Sequence, residues 1–274
     1  MADLPFHRRV IARFGRVPVP IYAAALAYYA LLGLFPLLLL LVGIAGIALG
    51  KNPELSAAFV HQLEAWAGHL FPTAREASQA VLRALTRGAP AFTLGSALLL
   101  GWTASHFFTA LSTVLSVVFS GRPQGLRHRF HGLLGPLIVG LALLLASVLG
   151  LVLGLLARFL PAGPWTAYLG VAASYLTSTL VIFAIYRFLV IPPPPTGPAL
   201  AAGILVALSW NLVAWGLPRL LPERQSALVY GPLAGPVLLL FGFYLLMWLL
   251  VAGAVVLAAY AAPSGPPDRP EESP

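Results

Sequence analysis

The sequence predicts an all-α fold: a polytopic membrane helical bundle of six transmembrane helices, with an amphipathic helical pair between helices 1 and 2. Three observations predict it. Hydrophobic residues make up 59% of the 274-residue chain and charged residues only 9%, against roughly 25% charge in soluble domains. Apolar runs recur along the chain with short gaps between them. The first, Tyr22 to Gly50, holds no charge and a single proline, Pro36. It exceeds the about 20 apolar residues that a ~30 Å hydrocarbon core requires of a helix.

Residues 1–19 are basic and expected on the cytoplasmic side. The lead His7-Arg8-Arg9, Arg13 and Arg16 is like the n-region of a signal peptide, but the apolar run behind it is too long for an h-region. A retained signal anchor is expected, spanning about 21–49 after Pro18 and Pro20. The chain then changes character over 51–90. Leu55, Phe59, Leu63, Trp66 and Leu70 recur at gaps of four and three, the helical period. After Pro72-Thr73 a second amphipathic helix is expected, with Arg75, Gln79, Arg83 and Arg87 on one face and Ala77, Val81 and Leu85 on another. Both are too polar to span and should lie along an interface or fold back over the bundle.

Further spans follow at about 91–119, 132–157, 166–190, 198–217 and 233–261. A basic loop with Arg122, Arg127 and Arg129 separates the second and third. The run Pro192–Pro195 ends the fourth, since proline has no amide to donate. Residues 1–262 thus read as a single membrane domain. The Pro-rich tail 263–274, acidic at Glu271 and Glu272, reads as disordered.

The net charge is +8. In a membrane chain, basic residues hold cytoplasmic loops, so the lipid bilayer is the expected partner and nucleic acid is not. With the N-terminus inside, the inner segments carry Arg8, Arg9, Arg13, Arg16, Arg122, Arg127, Arg129, Arg187 and Arg269. The short outer loops carry Arg158, Arg219 and Arg224. Both termini are therefore expected in the cytoplasm, with the amphipathic pair outside. Homo-oligomerisation is left open. With no cysteine in the chain, thiolate chemistry is excluded.

The strongest polar pattern lies in the second span. Ser105, His106, Thr109, Ser112, Thr113 and Ser116 share one helical face, with Trp102 a turn earlier. Such side chains turn toward the bundle interior or a water-filled path, or else bond carbonyls one turn back on their own helix. His106 is the ionisable group deepest in any span, and histidine titrates near neutrality. The fourth span carries a second face: Tyr168, Tyr175, Ser178, Thr179 and Tyr186. Tyr168 and Tyr186 also fit an interfacial belt, and Arg187 a headgroup anchor. The fifth span offers Ser209 and Asn211. In the first, Tyr22, Tyr29, Gly33 and Pro36 share a face, and Pro36 should kink the helix at a hinge with Gly33. The candidate substrate contacts are His106, Thr109, Thr113, Tyr29, Tyr175 and Asn211.

No span holds Asp or Glu, which disfavours a carboxylate-driven ion pump. HExxH, Walker A and GxSxG motifs are absent. The scattered acids and histidines supply no two-metal centre. No enzyme activity, cofactor or metal site is expected.

The stretch Ala24-Ala-Leu-Ala-Tyr-Tyr-Ala-Leu-Leu-Gly-Leu-Phe-Pro36 resembles the signature of the YihY/BrkB family, also labelled ribonuclease BN-like. Further matches are Trp102-Thr-Ala-Ser105, Tyr186-Arg187, Gly197-Pro-Ala-Leu, Tyr230-Gly231 and Gly253-Ala254. The resemblance covers roughly residues 5–262. It implies a six-span bacterial inner-membrane protein with both termini cytoplasmic, linked to envelope integrity and virulence. It does not imply a settled activity, and the residue inventory argues against the ribonuclease label. Many members carry an acid after the Gly-Ala pair of the last span; here that residue is Val255.

The expected function is transport or export of a small neutral or zwitterionic solute, or of a lipid-type molecule, through neutral hydroxyl- and aromatic-lined faces. The alternative is a non-transporting envelope scaffold that works through the amphipathic region.

Overall fold

The computed structural model describes residues 6–49, 75–120, 165–190, 193–220 and 234–261, with scattered positions between 135 and 152. Its helices are α1 (Phe6–Phe14), α2 (Val19–Leu49), α3 (Arg75–Ser120), α4 (Trp165–Leu189), α5 (Thr196–Leu220) and α6 (Ala234–Ala261). Residues 137–142 are helical as well, and no strand occurs among the described residues. Four stretches are long and apolar enough to cross a bilayer: Thr93–Ser120, Gly170–Leu189, Thr196–Gly216 and Gly235–Ala261. A fifth is counted if α1 and Val19–Leu34, bent by 62°, form one broken span. The expected span at 132–157 and the first amphipathic helix lie largely outside the described residues. Four or five of the six expected spans are therefore in view.

One expectation is corrected. The second amphipathic helix and the second span run together as one 46-residue helix, Arg75–Ser120. Pro90 lies inside it. Proline deletes one amide donor, but its Ala- and Leu-rich flanks favour helix.

The N-terminal segment, read from sequence only as basic, contains α1. Its exposed face carries His7, Arg8 and Ile11, while Arg9, Val10, Arg13 and Phe14 are partly covered. The bend after it has a local cause. Gly15 and Val17 donate back to the carbonyls of Ile11 and Arg13, closing α1. The Pro18 carbonyl then accepts from Ile21 and Tyr22 and starts α2. Pro20 sits in that first turn, where its missing N–H has no intrahelical partner to lose.

Two compact units make up the chain. The first holds residues 1–22, 111–211 and 248–274; the second holds 23–110 and 212–247. The first unit gathers α1, all of α4, the starts of α2 and α5 and the ends of α3 and α6. Its core is apolar: Leu111, Leu115, Ile185, Leu189, Val206, Val251, Val255 and Leu257 are all buried. Ala252, Ala254, Ala258 and Ala259 are buried too, and small side chains let membrane helices approach closely.

Side-chain bonds tie helix ends together in this unit. Arg13 donates from Nη1 to the Val118 carbonyl at 3.1 Å. Ser112 Oγ donates to the Leu189 carbonyl at 3.3 Å. Val118 and Leu189 lie in the last turns of α3 and α4, where carbonyls lack intrahelical partners. Burial, and then the charge of Arg16, push the Arg13 pKa down, yet a guanidinium stays protonated and suits the negative end of a helix. Arg13→Gln is expected to weaken α1 docking by about 1 kcal/mol. Amide hydrogen exchange over residues 8–14 should speed up several-fold, with Arg13→Lys intermediate.

In the second unit, Leu26, Ala27, Pro36, Ser96 and Thr103 are buried. α2 remains helical through Pro36. A Cβ placed on Gly33 would lie 3.9 Å from Thr103 Oγ1, so α2 and α3 are close neighbours at that level.

Candidate functional site

In the first unit, one set of polar groups forms a seam between α4 and α5. Ser174 Oγ donates to Asn211 Oδ1 at 3.1 Å. Asn211 Nδ2 in turn donates to the Ala207 carbonyl at 2.8 Å. Tyr175 reaches across to the Ile204 carbonyl with its hydroxyl, at 3.2 Å. Ser178 turns back to the Ser174 carbonyl at 2.9 Å. The helices can lie this close because Gly203 has no side chain. A Cβ there would sit 3.3 Å from the Phe183 nitrogen and 3.4 Å from the Thr179 carbonyl.

Burial changes along the seam. Ser174 is exposed and Ser178 half-buried, while Thr179 is only 7% exposed. Thr179 Oγ1 is buried and has no hydrogen-bond partner among the described residues. A threonine in a helix normally satisfies its hydroxyl on a carbonyl one turn back, and leaving it unpaired costs about 1–3 kcal/mol. The seam thus runs from a satisfied, exposed end to an unsatisfied, buried one. Ser174 and Thr179 are five positions apart, about 7.5 Å along the axis.

Deeper on α4, Tyr186 is wholly buried, and its hydroxyl donates to the Leu250 carbonyl of α6 at 2.6 Å. This corrects its reading as an interfacial belt residue. Its ring fills the α4–α6 contact, and its one polar atom is paired there. Arg187, next to it, is half-buried with its guanidinium 6.0 Å from the Phe188 ring.

The six candidate residues divide between the two units. Tyr175 and Asn211 both belong to the seam. Thr113 shares their unit and is half-buried. In the second unit, Tyr29 is half-buried and meets Tyr28 edge-on at 5.8 Å. His106 is exposed; its Nδ1 faces the Trp102 carbonyl at 2.9 Å and its ring leans on the Trp102 ring at 4.6 Å. A carbonyl only accepts, so Nδ1 carries a proton and Nε2 is the group left to act. Thr109 donates to the Ser105 carbonyl at 2.7 Å. The polar face of α3 therefore turns progressively inward: Trp102 and His106 are exposed, Thr109 and Thr113 half-covered, Ser112 and Ser116 buried.

Ser174, Ser178 and Thr179 are the seam residues that the candidate set omits. Thr179 lay on the polar face read from the sequence; Ser174 lies just beside it, and its link to Asn211 is visible only in three dimensions. Val255 is wholly buried in the core of the first unit. Among the described residues, no three His, Asp or Glu side chains group to hold a metal ion.

The family model described as virulence factor BrkB matches residues 10–274. Neither a curated protein nor a solved structure matches the chain.

Proposed function

The chain belongs to the virulence factor BrkB family, and from that premise we propose that it is a membrane transporter for a small neutral or zwitterionic solute or a lipid-type molecule. The observation that carries this reading is the buried Thr179 hydroxyl at the inner end of the α4–α5 seam. An unpaired hydroxyl in a membrane interior is a cost with no structural return, and polar groups held there mark substrate paths. The seam presents hydroxyls, an amide and a tyrosine, and neither α4 nor α5 contains an acid. That inventory suits a partner that both donates and accepts hydrogen bonds without needing a counter-ion.

The same residues support an orientation in the bacterial plasma membrane. Arg8, Arg9, Arg13 and Arg16 share the first unit with Arg187 and with the starts of α2 and α5. Basic residues concentrate on the cytoplasmic side, which supports a cytoplasmic location for both termini. His106, Tyr29, Thr109 and Thr113 are proposed as further contacts, and Gly33 with Pro36 as the flexible point of α2.

The test is flux. The purified chain in liposomes, screened against polyols, zwitterions and labelled lipids, should move one class faster than protein-free vesicles. The His106→Ala/Tyr175→Phe double variant should lower that flux at least about tenfold, the equivalent of ~1.4 kcal/mol. Wild-type flux in the double variant would remove these two residues from the path. Absence of flux for every class would end the transport reading.

A further inference from the structure

A groove of about 450 Å³ opens on the first unit where α1, α5 and α6 meet. Its walls include Phe6, Pro198, Ala201, Leu205, Val256 and Tyr260. Nearly everything it presents is apolar, and its rim is open: Phe6 is 44% exposed, Leu205 51% and Tyr260 63%. The Phe6 and Tyr260 rings meet edge-on at 6.4 Å, which fixes α1 to one lip of the groove.

α1 brings charge to that lip. It holds His7, Arg8, Arg9 and Arg13 and no acid. Arg13 is already spent on the Val118 carbonyl. Arg9 lies one helical turn from Phe6, on the same face, and its Nε is buried with no hydrogen-bond partner among the described residues. A buried guanidinium nitrogen without an acceptor calls for one, and a phosphate is the acceptor that guanidinium geometry fits best. An apolar slot for a chain, with an arginine one turn away whose Nε lacks a partner among the described residues, on an acid-free helix, describes one class of molecule.

We propose that this groove binds an anionic phospholipid, with an acyl chain against Ala201 and Leu205 and the phosphate on Arg9. The volume holds a single acyl chain. The basic face of α1 fits the anionic lipids of a cytoplasmic leaflet. The tail 263–274 carries acids, but its Pro-rich, polar sequence does not suit an apolar slot. The site stands apart from the α4–α5 seam and does not rest on the transport reading.

Native mass spectrometry of the full chain in micelles tests it, titrating dioleoylphosphatidylglycerol against dioleoylphosphatidylcholine. The wild type should prefer the anionic lipid by about fivefold, the effect of one arginine near a lipid surface. Arg9→Gln should erase that preference and leave phosphatidylcholine binding unchanged, while Arg8→Gln, on the exposed face, should keep most of it. Ala201→Phe should weaken both lipids by filling the groove, and Leu205→Trp on its open side serves where that variant does not fold. Inorganic phosphate should not displace the lipid. An unchanged preference in Arg9→Gln, or undiminished binding in the filled groove, would overturn the proposal. So would a several-fold gain in anionic-lipid binding on truncation after Ala261, which would make the tail the native occupant.

Discussion

Replacing Gly253 with alanine will cost this protein more stability than any other single-methyl addition described here. A Cβ at that position would collide with Val206 Cγ2 and sit 2.6 Å from the Tyr186 hydroxyl. Neither neighbour yields easily. Val206 is 3% exposed and Tyr186 is fully buried, and a β-branched side chain has few rotamers to offer. The Tyr186 hydroxyl is also committed to the Leu250 carbonyl, 2.6 Å away and on the same helix as the glycine. Adding the methyl must either push α6 off α4 and α5 or break that bond. Overpacking of a tight core costs about 1–3 kcal/mol, and loss of the buried bond adds about 1 kcal/mol. Gly253→Ala should therefore lower the melting temperature and the yield of folded protein in membranes. Val206→Ala should rescue it in part, because it removes one of the two colliding groups. Tyr186→Phe should rescue it less, since it clears the oxygen but forfeits the bond. Wild-type stability in Gly253→Ala would mean that α5 and α6 slide freely at this level.

Much of this architecture was legible because prolines and arginines bracket the apolar runs. Pro18 and Pro20 mark the start of α2, Pro192–Pro195 the stop after α4, and Pro232 the approach to α6. Expected and observed helix ends agree within a few residues there. The N-terminal helix was missed: Phe6, Val10 and Phe14 recur every four residues between arginines, a helical period hidden inside a segment read only as basic.

Side-chain direction was harder to read. Periodicity places Ser105, His106, Thr109 and Ser116 on one face, but cannot say how that face rotates relative to neighbouring helices. Trp102 on the same face was the available sign that its upper part looks outward. Tyr186 shows the opposite error: beside Arg187 it has the sequence signature of an interfacial tyrosine, and only packing against Gly253 reveals a buried one. The Ser174–Asn211 link joins residues 37 apart in the chain, and no local pattern announces it.

Thr179→Val separates a functional hydroxyl from a structural one. Valine keeps the shape of threonine and replaces the hydroxyl with a methyl. If Thr179 only filled space, the change would be neutral or favourable throughout, because a buried hydroxyl without a partner is a burden to the fold. The expected result has two parts that move in opposite directions. Stability should hold or rise, by up to about 1 kcal/mol. Flux of the transported molecule should fall at least about tenfold, because a site built to hydrogen-bond its substrate loses far more than a packing contact does when that group is removed. Thr179→Ser should retain most of the flux while losing a methyl from the core. Asn211→Leu should behave differently again, since it strands Ser174 Oγ without its acceptor and should lower stability along with flux. A drop in both stability and flux for Thr179→Val would mark the residue as structural. A rise in stability with unchanged flux would move the path away from the α4–α5 seam. Only the opposed pair of changes identifies a polar group kept unsatisfied for a carried molecule, as the transport reading requires.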